Sequence, residues 1–188
     1  MRPAFYERPV LEVASDLVGC VLTHQGCAGV IVETEAYHDS EPACHAFAGL
    51  TPRTRTLFGP AGLAYVYRSY GIHALLNAVS EPEGVGAAVL IRALAPVAGI
   101  DQMQARRRLA QIETLCSGPG KLTKALAIEL THNGADLALG PVVISARPRA
   151  WRSVQVAVSR RIGITKATEL PWRFSARDSR FLSRPVRA

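Results

Sequence analysis

Two nearly continuous apolar runs, Val30–Glu35 and Ala87–Leu94, constrain the fold of this chain most. Both are rich in residues that favour buried strands. Cys20–Thr23 precedes the first run across a Gln-Gly pair, which predicts a hairpin. Ala64–Ser80 predicts one or two further strands, with Tyr65 and Tyr67 on one face because strand side chains alternate. The chain is therefore rich in strands that need a buried position.

Helical periodicity is confined to short stretches between these strands. Apolar residues recur at i, i+3, i+4 and i+7 from Val10 to Leu17, which predicts an amphipathic helix. We also predict helices over Ile100–Leu109 and Lys121–Glu129 and strands over Val142–Ser145 and Ser153–Val158. Grouped strands with helices between the groups favour an α+β fold around a curved, mainly antiparallel sheet. A doubly wound parallel sheet is disfavoured, since strict strand–helix alternation is missing.

The 188 residues contain no internal repeat and no long linker, which predicts a single domain over residues 1–188. Residues Asp39 to Gly62 are rich in Pro, Gly, Thr and Arg and predict a long loop. A loop of this length inside a compact domain is usually functional. We therefore expect part of the site on this loop.

Polar side chains interrupt the apolar strands at four positions. Glu33 and Glu35 lie in GVIVETEAY, Asn77 in IHALLNAV and Arg92 in AAVLIRAL. Burying such groups costs several kcal/mol unless they are paired, so their coincidence in one core predicts a site. The alternative is structural: one glutamate pairs with Arg92 inside the sheet and Asn77 caps a strand end. Glu33 and Glu35 share a strand face, so spacing does not choose between them.

Aromatic residues cluster around these polar strands. Tyr37 follows the acidic strand, His45 lies in the long loop, and Tyr65, Tyr67 and Tyr70 lie in YVYRSYG. A single strand tyrosine is usually core packing with a satisfied hydroxyl. Flat side chains beside an acid also fit a pocket for a planar, unpaired base, which enzymes acting on bases extrude and stack.

The net charge of +7 is concentrated at the C-terminal end. Residues 141–188 hold 11 basic and 2 acidic side chains, whereas the remainder has two more acidic than basic residues. A basic stripe on an otherwise neutral domain is typical of polyanion binding, although a solvated arginine-rich face has the same composition. We predict that residues 141–188 form part of a DNA-binding face.

The four cysteines form no Cys-x-x-Cys pair, and the five histidines complete no usual zinc spacing with them. We expect mainly buried free thiols, no metal and no cofactor. The N-terminal MRPAFYERPV is charged where a secretory signal needs an apolar stretch, and no apolar run is long enough to span a bilayer. We therefore expect a cytoplasmic protein without membrane contact.

Several motifs in order resemble the alkyladenine (3-methyladenine) DNA glycosylase family, from about Phe5 to Phe181. The motifs are VETEAY, the downstream His45, TPRTRTLFGP, YVYRSYG followed by Asn77, LIRALAP, and LCSGPGKLTKALAI. The resemblance implies a curved-sheet α+β domain like the C-terminal domain of methionyl-tRNA formyltransferase. It also implies a monofunctional glycosylase that acts as a monomer on duplex DNA and removes alkylated, and often deaminated or etheno-bridged, purines.

The resemblance also implies a role for each matching position. It makes Glu35, rather than Glu33, the base that activates water, with Arg92 and the carbonyl of Ile164 holding that water. It makes Tyr70 the residue that fills the gap left in the duplex. The base-binding residues that it implies are Tyr37, His45, Tyr67, Asn77 and Ile164. Thr54, Ile72, His73 and Ala74 depart from the family pattern near these positions, which leaves the base preference open.

Contacts to the DNA backbone are predicted from charge. The candidates are Arg53, Lys121, Arg147, Arg161 and Lys166, with Arg149, Arg152, Arg160 and Arg173 as further tail residues. The turn Ser117–Gly120 before the helix at Lys121 fits either a phosphate contact or a plain helix start. Binding through several of these residues would weaken steeply with salt.

The chemistry separates this interpretation from three others. A cationic alkylpurine leaves as a neutral base, so one carboxylate can suffice to hydrolyse its glycosidic bond. A lyase needs an amine nucleophile, yet the first 120 residues contain no lysine. A deaminase needs a zinc motif that is missing. A formyltransferase domain would not need the acidic strand, and a non-catalytic nucleic-acid-binding domain remains the main alternative.

Overall fold

The computed structural model, which describes residues 1–186, is built around one long strand, β2 (Cys27–His38). One edge of β2 pairs along almost its whole length with β5 (Ala87–Ala98). The other edge pairs first with β1 (Val21–His24) and then, over Glu33–Glu35, with β8 (Arg173–Ala176). The acidic part of β2 therefore lies between two neighbouring strands, which explains why it is fully buried.

The eight strands found within residues 1–186 belong to one antiparallel sheet. Its order is β3-β4-β5-β2-β1-β6, with β8 attached to β2 and β7 to β8. The remaining strands are β3 (Ala64–Ser69), β4 (His73–Val79), β6 (Val143–Ser145) and β7 (Val156–Ser159). The β2–β5 register shifts between Ile31 and Thr34, and such irregularities bend a sheet. The predicted α+β class with a curved antiparallel sheet is confirmed.

Within residues 1–186, two short α-helices precede the first strand and three lie between β5 and β6. They are α1 (Pro3–Tyr6), α2 (Val10–Leu17), α3 (Ile100–Arg107), α4 (Ile112–Leu115) and α5 (Pro119–Leu126). Helix α2 buries Val10, Val13, Ala14 and Leu17, the four residues that carried its predicted periodicity. Across residues 1–186, every helix falls short of the length and apolar character that a membrane crossing requires.

The predicted elements are present with shifted ends. The hairpin turns at Gln25 and Gly26, both with positive φ. The region Ala64–Ser80 forms two strands, and the helix expected at Lys121–Glu129 begins at Pro119 and ends at Leu126. Strand β8 was not predicted, because its four residues lie within the arginine-rich stretch that the sequence assigned to a DNA-binding face. That strand brings Arg173 to the acidic centre of the sheet.

The long loop after β2 is folded against the sheet rather than extended. It contains two single-turn 3₁₀ helices, His45–Ala48 and Arg55–Phe58. Its side chains build a small second apolar cluster, separate from the main core, with residues of β3–β5. The cluster consists of Cys44, Ala46, Leu57, Tyr65, Val79 and Ala88. This cluster supports one wall of a cavity.

Candidate active site

A partly open cavity of about 340 Å³ lies where the sheet meets the long loop and residues 162–164. Its volume is within the range of about 300–1,000 Å³ typical of small-molecule pockets. The residues around it include all five that the resemblance assigned to base binding, together with Arg92 and Tyr70. Those five are Tyr37, His45, Tyr67, Asn77 and Ile164. The fold therefore brings together side chains from β2, β3, β4, β5 and two loops.

Glu35 is fully buried directly behind this cavity. Its Oε1 accepts a hydrogen bond of 2.7 Å from the Ile162 N–H. Its Oε2 accepts one of 2.9 Å from the Tyr37 hydroxyl and one of 3.1 Å from Arg92 Nη1. All three donors line the cavity. The carboxylate is thus ion-paired, as the structural alternative requires, but it also adjoins a space fit for a planar ligand.

Glu33 has a different environment, although it contacts the same arginine. Its Oε1 accepts from Arg92 Nε at 3.0 Å and from Arg173 Nε at 2.8 Å. The Ser183 N–H donates to its Oε2 at 2.6 Å, and the Ser183 hydroxyl donates to its Oε1 at 2.7 Å. Two guanidinium groups and two further donors therefore neutralise Glu33 within the sheet.

The pKa values of the two glutamates move in opposite directions. Burial alone would raise the pKa of Glu33, but Arg92, Arg173 and the hydrogen bonds outweigh it, and the pKa is lowered. At Glu35 burial prevails over Arg92, the Ile162 N–H and Tyr37, and the pKa is raised. Titratable groups whose environments separate their pKa values are typical of acid–base sites. The structure thus distinguishes two carboxylates that sequence spacing left equivalent.

Three aromatic side chains form the opposite side of the cavity. The Tyr65 and Tyr67 rings stack with centroids 5.4 Å apart, and the His45 ring meets Tyr67 edge-on at 4.6 Å. His45 Nδ1 lies 3.1 Å from the Tyr65 hydroxyl. Burial, assisted by nearby Arg53, lowers the pKa of His45, so its imidazole is neutral at pH 7. This side of the cavity is therefore aromatic and uncharged.

Asn77 lies on β4 opposite Tyr65. Its Nδ2 donates a hydrogen bond of 3.0 Å to the Tyr65 carbonyl oxygen, so it bridges two paired strands rather than capping a strand end. Within residues 1–186 its Oδ1 makes no hydrogen bond, and Asn77 lines the cavity. The side chain is therefore held by the sheet while one acceptor stays available.

Tyr70 lies at the tip of the β3–β4 hairpin, on the rim of the cavity. Its side chain is 89% exposed, and that of Ile72 beside it is 76% exposed. The chain turns there with φ of +48° at Tyr70 and +75° at Gly71. An exposed aromatic ring held in a left-handed turn is costly for folding alone. This position fits a contact made outside the protein.

Three of the arginines predicted to contact the DNA backbone form hydrogen bonds inside the protein. The Arg147 guanidinium donates to the carbonyl oxygens of Val18, Asp16 and Ser15 at 2.7, 2.9 and 3.2 Å and so closes the end of α2. Arg161 is buried against Glu41, and Arg173 against Glu33. Arg161 and Arg173 are buried, so a phosphate could reach them only by displacing these partners, whereas Arg147 is partly exposed and its contact with DNA stays a prediction. The basic stretch 141–188 is therefore partly internal.

The other backbone candidates remain exposed. Arg53 lies beside the cavity, with Nη2 3.4 Å from His45 Nε2. Lys121 is in the first turn of α5, and its Nζ donates to Ser117 Oγ at 3.3 Å. Lys166 is two residues beyond the cavity residue Ile164. Their exposure leaves all three available to a polyanion.

The departures from the family pattern do not line the cavity. Thr54 is buried and braces the long loop, since its hydroxyl donates to the Gly49 carbonyl at 2.9 Å and accepts from the Thr51 N–H at 2.8 Å. His73 and Ala74 face a separate groove beside α5. These departures from the family pattern therefore change no residue that lines the cavity.

Sequence reasoning did not find two groups that contact the acidic centre. Ile162 acts through its backbone N–H, and no side-chain pattern reveals such a donor. Ser183 lies in the C-terminal stretch, 150 residues from Glu33 in sequence. Only the three-dimensional arrangement brings them to the site.

Comparison with known proteins agrees with this geometry. The sequence matches the family described as methylpurine-DNA glycosylase over residues 4–180. A protein of Bradyrhizobium diazoefficiens is 53% identical over 98% of this chain and 91% of its own length. One from Rhodopseudomonas palustris is 51% identical over 96% and 86%, and one from Methanoculleus marisnigri is 50% identical over 96% and 97%. All three carry the name "Putative 3-methyladenine DNA glycosylase". The chain, with its aromatic cavity and acidic strand, belongs to the methylpurine-DNA glycosylase family of hydrolases, which act on DNA in base-excision repair.

Proposed function

We propose that this glycosylase flips a damaged purine out of duplex DNA into the cavity and hydrolyses its glycosidic bond with water activated by Glu35. The observation that carries the proposal is the difference between the two glutamates. Glu33 is neutralised by two arginines, whereas Glu35 has a raised pKa and adjoins an aromatic cavity. A carboxylate poised in this way can take a proton from water.

The preferred substrates of this proposal are alkylated purines, above all 3-methyladenine. Such a base is cationic, and the faces of Tyr37 and Tyr67 attract a stacked cation. Neutral His45 adds no opposing charge. Because the base leaves in neutral form, it needs no strong acid. Hypoxanthine and ethenoadenine are possible slower substrates, since they leave without that advantage.

Glu35 would act on the sugar side of the cavity. Positive charge develops on the deoxyribose as the base departs, and an ionised carboxylate stabilises it while deprotonating the water. Arg92 and the Ile164 carbonyl oxygen would hold that water. Arg92 also keeps Glu35 ionised in spite of its burial, since the ion pair lowers the cost of the charge.

Tyr70 would occupy the gap that the flipped nucleotide leaves. Unstacking a base costs a few kcal/mol, and an inserted aromatic ring offsets part of that cost. Its exposure on the cavity rim supports this role. Arg53, Lys121 and Lys166 would bind phosphates around the site, and one protein molecule would suffice for one lesion.

We propose no lyase activity. Lys121, Lys124 and Lys166 are not among the residues that line the described cavity. The N-terminal amine donates to the Ile144 carbonyl oxygen at 3.0 Å, on β6. No amine is therefore placed to attack the sugar from the cavity.

Base release from single-lesion duplexes tests the proposal. Single-turnover rates would be measured on matched duplexes containing 3-methyladenine, hypoxanthine or ethenoadenine, with abasic sites detected by alkaline cleavage. The alternative from the sequence, a nucleic-acid-binding domain without activity, predicts binding without base release. Release of the alkylated base by the wild-type protein, and its loss in Glu35→Gln, is the expected result.

A further inference from the structure

Residues 160–166, which carry Ile162 to the site, have few attachments of their own. This segment follows β7 and contains no helix or strand. Within the described part of the chain, its backbone makes one hydrogen bond to the rest of the protein, from the Ile162 N–H to Glu35. A loop bound at a single backbone point is expected to open readily. Something else must hold it against the carboxylate.

The Arg161 side chain supplies that attachment. Its Nη1 donates to Glu41 Oε1 at 2.6 Å and to the Ala36 carbonyl oxygen at 2.9 Å, and its Nη2 lies 3.4 Å from the Ala167 carbonyl oxygen. The guanidinium also lies over the rings of Tyr37 and Trp172, at 4.6 and 5.2 Å from their centroids. One buried side chain thus contacts the loop, the long loop after β2 and Tyr37.

We propose that the buried Arg161–Glu41 pair is a positioning device that holds the Ile162 N–H on Glu35 and thereby sets the protonation of the catalytic carboxylate. The inference rests on the proposed role of Glu35. Stability alone is a weak reason for such a pair, because buried ion pairs are often replaceable by apolar residues without loss. Arg161 does not itself line the cavity, and none of its described hydrogen bonds goes to Glu35, so it acts through Ile162 and Tyr37.

The charges around Glu35 show why this position matters. Arg92 faces Glu35 from β5, Tyr37 and Glu33 face it from β2, and the Ile162 N–H faces it from the loop. Arg173 on β8 is paired with Glu33. Arg92, Tyr37 and Ile162 favour the ionised form, whereas burial and Glu33 oppose it. Losing the Ile162 donor would therefore raise the pKa of Glu35 further.

Titration of Glu35 in Arg161→Met tests the pair directly. The carboxyl ¹³C resonance of Glu35, assigned by its absence in Glu35→Gln, would be followed against pH. A hydrogen bond to a charged group corresponds to about one pKa unit or more, so we expect the midpoint to rise by roughly one unit. The double variant Arg161→Met/Glu41→Gln avoids an unpaired buried carboxylate and should show the same rise.

Two further variants separate positioning from loss of stability. Arg147→Met also removes a guanidinium that makes three hydrogen bonds to backbone carbonyls, at the end of α2 and away from the cavity. It should lower thermal stability without moving the Glu35 midpoint. Arg161→Lys keeps a cation for Glu41 and should restore a midpoint near that of the wild type.

The outcomes distinguish this inference from the proposed function. An unchanged midpoint in both Arg161→Met and the double variant, or an equal shift in Arg147→Met, would overturn the positioning role. The NMR titration needs no activity, so it decides this question even if the wild type releases no base. Failure of base release in the wild type would instead overturn the proposed function.

Discussion

Replacing Glu33 and Glu35 separately by glutamine should show that Glu33 contributes mainly to the stability of the fold and Glu35 mainly to the rate of base release. The two substitutions are matched, because both glutamates are fully buried on β2 and both bind Arg92. Each removes one negative charge and leaves the side-chain volume almost unchanged. Any difference between the variants therefore reflects the environment of each carboxylate.

In Glu33→Gln the loss falls on stability. The change removes the charge facing two guanidinium groups at 2.8 and 3.0 Å, and the new amide N–H₂ meets donors where oxygen accepted before. Breaking a buried pair in this way costs about 3–5 kcal/mol. For a chain of this length about 2–4 °C is lost per kcal/mol, so the melting temperature should fall by roughly 6–20 °C. Base release per folded molecule should remain within a few fold of wild type.

In Glu35→Gln the loss falls on catalysis. Removing a general base typically costs about 10²–10⁴-fold in rate. The thermal effect should be smaller than for Glu33→Gln, because the raised pKa of Glu35 shows that its burial as an ion is incompletely compensated. A neutral glutamine avoids the cost of burying the Glu35 charge, which favours folding. It also loses the ion pair with Arg92, which opposes folding, so the two effects partly cancel.

The assay pairs thermal melting with single-turnover base release on a duplex carrying one 3-methyladenine. Rates would be taken well below the lower melting temperature, with enzyme in excess, so that weaker folding does not enter the rate. DNA binding by Glu35→Gln should stay near wild type. The reasoning is refuted if Glu33→Gln loses release as completely as Glu35→Gln while folded, or if Glu35→Gln keeps the wild-type rate.

Four other outcomes are expected. The ionised form of Glu35 is the active one and its pKa is raised, so the single-turnover rate should rise with pH through a midpoint above 4.5. A rate that stays constant down to pH 4.5 would contradict this. Tyr70→Ala should weaken flipping, followed by ethenoadenine fluorescence, by about tenfold or more, since a few kcal/mol of unstacking is no longer offset; unchanged fluorescence would rule out the insertion. Arg53→Gln should lower the slope of log binding constant against log salt by about one, whereas Arg173→Gln should leave that slope unchanged. Borohydride should trap no covalent protein–DNA complex during base release, and a trapped complex would show an amine nucleophile.

Much of this fold could be predicted because its two longest strands, β2 and β5, are buried on both faces along most of their length. Apolar runs such as Ala87–Leu94 leave little choice of structure, and the periodicity of Val10–Leu17 predicted the buried face of α2. Strand β8 was not predicted, because an alternation of only four residues, Arg173–Ala176, is too short to stand out within the basic C-terminal stretch. Its position depends on Arg173 reaching Glu33, a contact between residues 140 apart in sequence. Local patterns do not contain such pairings.

The arginines show the same limit for the site. A count of 11 basic residues in 141–188 predicted a DNA-binding face, yet Arg147, Arg161 and Arg173 use their guanidinium groups within the protein. Charge composition reports how many cations a segment holds but not which acceptors lie within reach. Arginine is suited to either role, because its fork of five donors binds carbonyl and carboxylate groups as well as phosphate.

The buried charges also explain why one strand can carry two glutamates with different properties. Arg92 joins both carboxylates, so it cannot neutralise either completely. Glu33 also receives hydrogen bonds from Arg173 and Ser183. Glu35 has Arg92 as its cationic partner, which holds it beside the cavity. Glu33 thus keeps a stable negative charge inside the sheet, whereas Glu35 retains the raised pKa that a base needs. A second arginine beside Glu35 would stabilise the sheet and weaken that base.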